Sequence, residues 1–201
     1  LKLEQYGIKS LIIEAGGLVS NYENNKDFLG GNINGFDKDL SVLRDRMFGG
    51  TSSLWGGYCT KFEKYQFSSW PIDYSEIEKF DKECKEILDL KNYHTDFYIK
   101  NFSNNFNQYH VRFAKNIRFK EAFYQKIKDS KNIYLSLNTS FLSFKGSEKK
   151  INYIECIKDK KLFKLKSKFY VLAAGGIENS RLLLWSQKNN KDLFHNNLPI
   201  G

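Results

Sequence analysis

Proline, cysteine and long apolar runs are scarce in this sequence. It holds two prolines and three cysteines in 201 residues. The cysteines, Cys59, Cys84 and Cys156, stand far apart, with no C-x-x-C pair and an odd total. That pattern supports neither a disulfide scaffold nor a structural zinc site, and leaves three ordinary reduced thiols. The longest apolar candidates, Leu11 to Ala15 and Tyr170 to Ala174, fall far short of the roughly 20 residues a membrane-spanning helix needs. Charge of one sign is nowhere dense. Basic residues exceed acidic ones by 32 to 23, for a formal +9, yet they interleave through Glu76, Glu78, Lys79, Asp81, Lys82, Glu83, Lys85 and Glu86. Such interleaving marks a solvated helix face and argues against nucleic acid as a partner. Proline scarcity alongside abundant Lys, Asn and Ile reads as a compositional bias of the source genome. No internal repeat and no low-complexity linker is visible.

What is present suffices for a folded body. Hydrophobic residues make up 41% and aromatic residues 16% of the chain, too many for a solvating disordered tail. The first residues read as the last turn of a helix entering a strand, and Asn197 to Gly201 carries no closing element. The chain is therefore expected to be an internal segment of a longer protein, and a missing targeting segment carries little weight.

Leu11-Ile12-Ile13 reads as a buried strand ending in the turn Glu14-Ala15-Gly16-Gly17. The Asn-, Gly- and Asp-rich text from Asn21 to Asp39 reads as a long loop. Between Asp73 and Leu90 the residues Ile77, Phe80, Cys84, Ile87 and Leu88 fall at helical spacing, with Asp73 or Ser75 as N-cap. A second helix is expected over Phe119 to Lys128. Ile133 to Phe144 alternates as a strand, followed by a turn around Gly146-Ser147, and Ile151 to Ile157 with Leu162 to Lys166 completes a small antiparallel meander. Phe169 to Ala174 reads as a strand covered on both faces, and Ile177 to Trp185 as a helix.

Three motifs carry chemistry. Glu14 ends a strand and is followed by Gly16 and Gly17. A carboxylate there can accept hydrogen bonds from two adjacent ribose hydroxyls, although an acid at a strand end is more often a surface residue or a cap. Arg44-Asp45-Arg46-Met47-Phe48-Gly49-Gly50-Thr51-Ser52-Ser53-Leu54-Trp55-Gly56-Gly57 sets two glycine pairs around three hydroxyls. The amides and hydroxyls of such a loop can converge on phosphate or ring heteroatoms; a Gly-rich turn with a core tryptophan fits the same letters. Val171 to Leu184 runs from a strand through Ala173, Ala174, Gly175 and Gly176 into a helix whose free amides face the strand's end, a natural place for an anionic cofactor.

In order and spacing these motifs, with Trp70-Pro71 before a helix, resemble the FAD-dependent glucose-methanol-choline oxidoreductases, and within them the bacterial sugar and polyol dehydrogenase branch. The likeness runs from about Lys9 to Gly201. It implies an α/β fold: part of a doubly wound, Rossmann-like FAD-binding domain with a small antiparallel meander and a helical insertion. The whole of 1–201 would be a partial FAD-binding domain, with about 92–118 the start of a substrate-domain insertion. Glu14 would sit on the adenosine ribose, Gly16 and Gly17 in the turn beside it, and Arg44 or Arg46 would face the pyrophosphate. Gly49, Gly50, Thr51 and Ser52 would line the diphosphate and ribitol, and Trp55, Gly56 and Gly57 the flavin edge. The strand near Phe141 would offer backbone to the adenine, and Ala174 and Gly175 would close over the nucleotide.

Covalently flavinylated relatives carry a histidine before the motif's tryptophan. Leu54 stands there, so the resemblance implies FAD bound non-covalently. The implied activity is oxidation of a CH–OH donor, a small alcohol, sugar or polyol, with hydride passing to the flavin. The family's GxGxxG turn is expected before Leu1 and its catalytic histidine after Gly201, so no catalytic residue is assigned in this chain. His94, His110 and His195 lie in polar, loop-like text and read as surface residues. The alternatives are another two-dinucleotide-type flavoprotein, or a flavin-free binding or structural descendant.

Overall fold

The computed structural model describes residues 1–26, 43–90, 99–103, 106–109, 111–115, 118–190 and 192–194. The expected loop beyond Lys26 and the three histidines lie outside the described residues. Early in the chain come α1 (Lys2–Gln5), β1 (Ser10–Ile13), α2 (Tyr22–Asn25), β2 (Tyr58–Cys59), α3 (Tyr74–Glu78) and α4 (Asp81–Ile87). They are followed by β3 (Ile99–Ser103), β4 (Phe106–Tyr109), β5 (Arg112–Phe113), α5 (Phe119–Lys128) and β6 (Ile133–Ser136). The chain continues through β7 (Ser140–Ser147), β8 (Lys150–Lys158), β9 (Lys161–Leu165) and α6 (Gly176–Asn189). Helices and strands are thus mixed, consistent with an α/β fold. The chain divides into two compact units: Leu1–Lys26 with Arg46–Phe48 and Ile127–Gly201, and Asp27–Asp45 with Gly49–Lys126.

In the first unit β1 pairs with β6 in parallel, Ser10 opposite Ile133 through Ile13 opposite Ser136. Ile133 is buried, while Leu11 and its ladder partner Tyr134 are exposed. The alternation read from Ile133 to Phe144 as one strand is two strands in two sheets. Asn138 adopts a left-handed φ of 51° and breaks the run, a conformation Asn tolerates better than most side chains. Past it, β7, β8 and β9 form the expected antiparallel meander. Its first turn falls at Glu148-Lys149, two residues beyond the expected Gly146-Ser147, with φ of 52° and 61°. Asp159 and Lys160, at 49° and 61°, turn the second hairpin. Positive φ at both central residues matches the right-handed twist of the flanking strands.

Phe144, Ile154, Cys156 and Leu193 form the buried cluster of this unit. Tyr170 and Leu172 pack against it, but Phe169 and Val171 are 85% and 84% exposed. No strand forms there. The apolar run is covered on one face only, and no ladder partner engages it among the described residues, so burial on both faces was the wrong expectation.

Helix α6 covers the outer edge of β7. The Ser186 hydroxyl accepts from Phe144 N–H at 3.1 Å and donates to Leu182 O at 2.7 Å. Asn190 Nδ2 donates to Phe144 O at 3.1 Å and to Ser186 O at 2.9 Å. An edge strand with open amides invites pairing with another chain; Ser186 of α6 and Asn190 at its C-cap close it at Phe144.

In the second unit, Phe67 is buried beneath Trp70, Tyr74 and Phe62, with ring centroids at 4.9, 5.4 and 5.6 Å. The helix expected over Asp73 to Leu90 is two helices. Asp73 caps the first: its Oδ1 accepts from Ser75 N–H at 2.9 Å, while Glu76 Oε1 accepts from Asp73 N–H at 3.2 Å. Those hydrogen bonds from Ser75 hold the exposed Asp73 carboxyl below the ordinary carboxylate range. Phe80, Cys84 and Ile87, three of the five residues of the stripe that suggested one long helix, are exposed. Packing of an apolar face, rather than propensity, sustains a helix, and with these three residues exposed the chain is not held straight across Lys79 and Phe80.

Replacing Ser186 by Ala leaves the buried Phe144 N–H without an acceptor, so unfolding in urea is expected about 1–3 kcal/mol lower in stability. Burial pushes the Cys156 thiol up to about 11 from an ordinary 9.0. Exposed Cys84 should therefore alkylate first at neutral pH, and Cys156 only on unfolding, as a peptide map reads directly. The folded state holds the Cys156 proton more tightly than the unfolded chain, so this contribution to stability is complete below pH 9 and lost between pH 9 and about 11.

Candidate nucleotide site

Parallel strands present the ends of their carboxyl sides to ligands, and the β1–β6 pair ends in a dense polar turn. Glu14 N–H donates to Ser136 O at 3.0 Å, and Thr139 N–H donates back to Glu14 O at 2.9 Å. Asn138 N–H donates to Gly16 O at 2.9 Å. The Ser136 and Thr139 hydroxyls lie 2.8 Å apart, and Thr139 also donates to Leu137 O at 3.0 Å. The left-handed break at Asn138 thus turns the chain back onto the Glu14 turn. The half-buried Glu14 accepts from Gly16 N–H at 2.8 Å through Oε1.

Gly16 is buried and has no room for a side chain. A Cβ there would lie 1.9 Å from Arg46 O and 2.4 Å from its carbonyl carbon. The close approach that a glycine permits is therefore made by the Arg46–Met47 peptide. Phe48 N–H donates to Gly17 O at 2.8 Å, and Gly17 bridges Met47 in parallel. Gly17 itself is roomier, its nearest neighbour being Asn138 Oδ1 at 3.6 Å from an ideal Cβ. Arg46 is fixed in turn by α2: its N–H donates to Asn25 Oδ1 at 2.8 Å and its Nη1 to Asn24 O at 3.3 Å.

Elsewhere in the same unit, Phe141 turns its ring into the core against Phe144 at 4.8 Å, which leaves only its backbone for a ligand. Ala174 is exposed, and its N–H donates to Asn179 Oδ1 at 2.8 Å. Gly175, with φ of 86°, is the N-cap of α6 and supplies no side chain to its first turn. An ideal Cβ at Gly175 or Gly176 meets nothing within 4 Å. The amino end of α6 is open, with amides oriented to favour an anion.

The glycine-rich loop belongs to the second unit, as does Arg44. Gly49 and Gly50 both have positive φ, and Gly50–Ser53 forms a 3-10 turn. The Ser52 hydroxyl donates to Gly49 O at 2.6 Å and accepts from Phe119 N–H at 3.1 Å, capping α5. Ser53 donates to Asp45 Oδ2 at 2.8 Å. Arg118 Nη1 clamps the loop through Ser52 O at 3.0 Å and Trp55 O at 2.8 Å. Thr51 and Gly56 are exposed, whereas Trp55 is half-buried and Gly57 buried, with Gly57 O accepting from Ala114 N–H at 2.8 Å. Much of this loop's polarity is thus spent on its own fold.

Sequence reasoning missed Asn25, Asn138 and Thr139 in the first unit and Arg118 in the second. An Asn inside an apparent strand was the available signal for Asn138. Arg118 gave none, since its partners lie 63 and 66 residues away. The acceptor at Glu14 suits ribose hydroxyls: a carboxylate with one oxygen oriented by a backbone amide, at the carboxyl end of a parallel strand.

Gly16→Ala should be severely destabilising, because the Cβ meets backbone rather than a flexible side chain; a loss above about 3 kcal/mol, or an insoluble product, is expected in denaturant unfolding. Gly17→Ala, with an ordinary contact only, should be much milder. No protein-family model matches the chain, and no curated protein is significantly similar to it.

Proposed function

We propose that the chain is part of an FAD-dependent oxidoreductase acting on the CH–OH group of a sugar, polyol or other alcohol, within a doubly wound FAD-binding domain. The observation that carries the reading is Glu14. Its carboxylate stands where the parallel β1–β6 pair ends, oriented by Gly16 N–H, in the location that open α/β sheets reserve for ligands.

In this reading Glu14 accepts hydrogen bonds from the adenosine ribose, and Arg46, seated on Gly16, offers charge to the pyrophosphate. The uncapped amides of α6, elsewhere in the same unit, also favour an anionic group. In the second unit, Thr51 is the hydroxyl of the glycine-rich loop that stays exposed. Bound flavin supplies a hydride acceptor; this chain's residues hold and orient it, and none is assigned as the base that takes the alcohol proton.

The test is titration of the protein, expressed from its complete coding sequence, with FAD followed by flavin fluorescence. Glu14→Ala is expected to weaken binding by about 1–3 kcal/mol, since a charged acceptor of ribose hydroxyls is lost. Equal affinity in wild type and variant, or a colourless protein that takes up no FAD, would refute the reading.

A further inference from the structure

We propose that Asn25 is a positioning residue for nucleotide binding, acting through Arg46; the inference rests on the FAD reading above. Asn25 lies outside every motif that suggested a cofactor. Its carboxamide is fully engaged, and in only one orientation. Oδ1 accepts from Arg46 N–H at 2.8 Å, while Nδ2 donates to Asn21 O and to Ser20 Oγ, each at 3.1 Å. A flipped amide would set donor against donor at Arg46 and acceptor against acceptor at Asn21, so the network itself fixes the side chain.

Arg46 is consequently held at three points. Its N–H is held by Asn25, its guanidinium by Asn24 O at 3.3 Å, and its carbonyl lies in the space that Gly16 leaves open. Without Asn25 the Arg46 amide loses its acceptor, and the start of the Arg46–Phe48 segment keeps only the 3.3 Å bond from its guanidinium to Asn24 O as a tie to α2. The peptide that rests on Gly16 and bridges Gly17 then loses the restraint that aims the arginine. The energetic signature of such a role is coupling: removing Asn25 weakens anion binding only while the Arg46 guanidinium is there to be aimed.

The experiment is a double-mutant cycle on the protein expressed from its complete coding sequence, with FAD dissociation constants measured by fluorescence at several salt concentrations. Asn25→Ala is expected to raise the constant about tenfold and, like Arg46→Met, to flatten its salt dependence, because a misdirected charge no longer contributes to binding. The double variant should bind no more weakly than Arg46→Met alone. If Asn25→Ala does not fold, the same cycle with Asn25→Gln, which carries the carboxamide one methylene away from Arg46 N–H without adding charge, should show coupling of the same sign. Additive effects, or an unaltered salt slope in the Asn25 variant, would overturn the positioning role while leaving the FAD reading standing. No effect of Arg46→Met would do the same. A wild-type protein that binds no FAD would overturn both.

Discussion

The first unit turns on a gap one methyl group wide. Because Gly16 has no Cβ, the Arg46–Met47 peptide lies directly on the turn that follows β1, and three stretches remote in sequence meet there. The Glu14–Gly17 turn, the Arg46–Phe48 segment and the Ser136–Thr139 bend exchange four backbone hydrogen bonds among Glu14, Gly16, Gly17, Phe48, Ser136, Asn138 and Thr139, the one at Phe48 flanking the Gly17–Met47 bridge. A two-stranded parallel pair is a weak structure by itself. Cross-ties at its carboxyl end give it the fixed geometry that a binding turn needs.

Polar side chains perform much of the structural work elsewhere. Ser186 and Asn190 close the β7 edge, Ser52 caps α5, and Arg118 gathers two carbonyls of the glycine-rich loop. Each is a hydrogen bond to backbone, a group that must find a partner once buried. The same economy explains why a loop rich in hydroxyls is not for that reason a ligand cradle. Ser52 and Ser53 are occupied within their own unit, and Thr51 remains exposed.

The sequence made local elements legible where period and cap agreed. Phe119–Lys128 and the meander stand where alternation and spacing put them, and Asp73 caps its helix as its position implied. Failures came where tertiary cover decided the outcome. The stripe through Phe80, Cys84 and Ile87 has helical spacing, but these three residues are exposed, and two short helices replace one. The run from Phe169 to Ala174 had the composition of a doubly covered strand, yet only Tyr170 and Leu172 found the core. At the candidate site, Glu14 and its glycines were readable because strand, acid and glycine are adjacent. Asn25 was not: it acts 21 residues from Arg46 through one hydrogen bond, and no pattern in the chain marks it.

The clasp between α6 and Phe144 also works as a ruler. Ser186 lies ten residues along the helix from Gly176, roughly 15 Å at the helical rise. The two hydrogen bonds at Phe144 fix both the rotation and the axial setting of a rigid rod whose far tip is the open amino end. Where those free amides point is therefore decided in the middle of the meander. Sequence drift in β7 would be transmitted to the tip as a displacement, even with every residue at Ala174–Gly176 left unchanged.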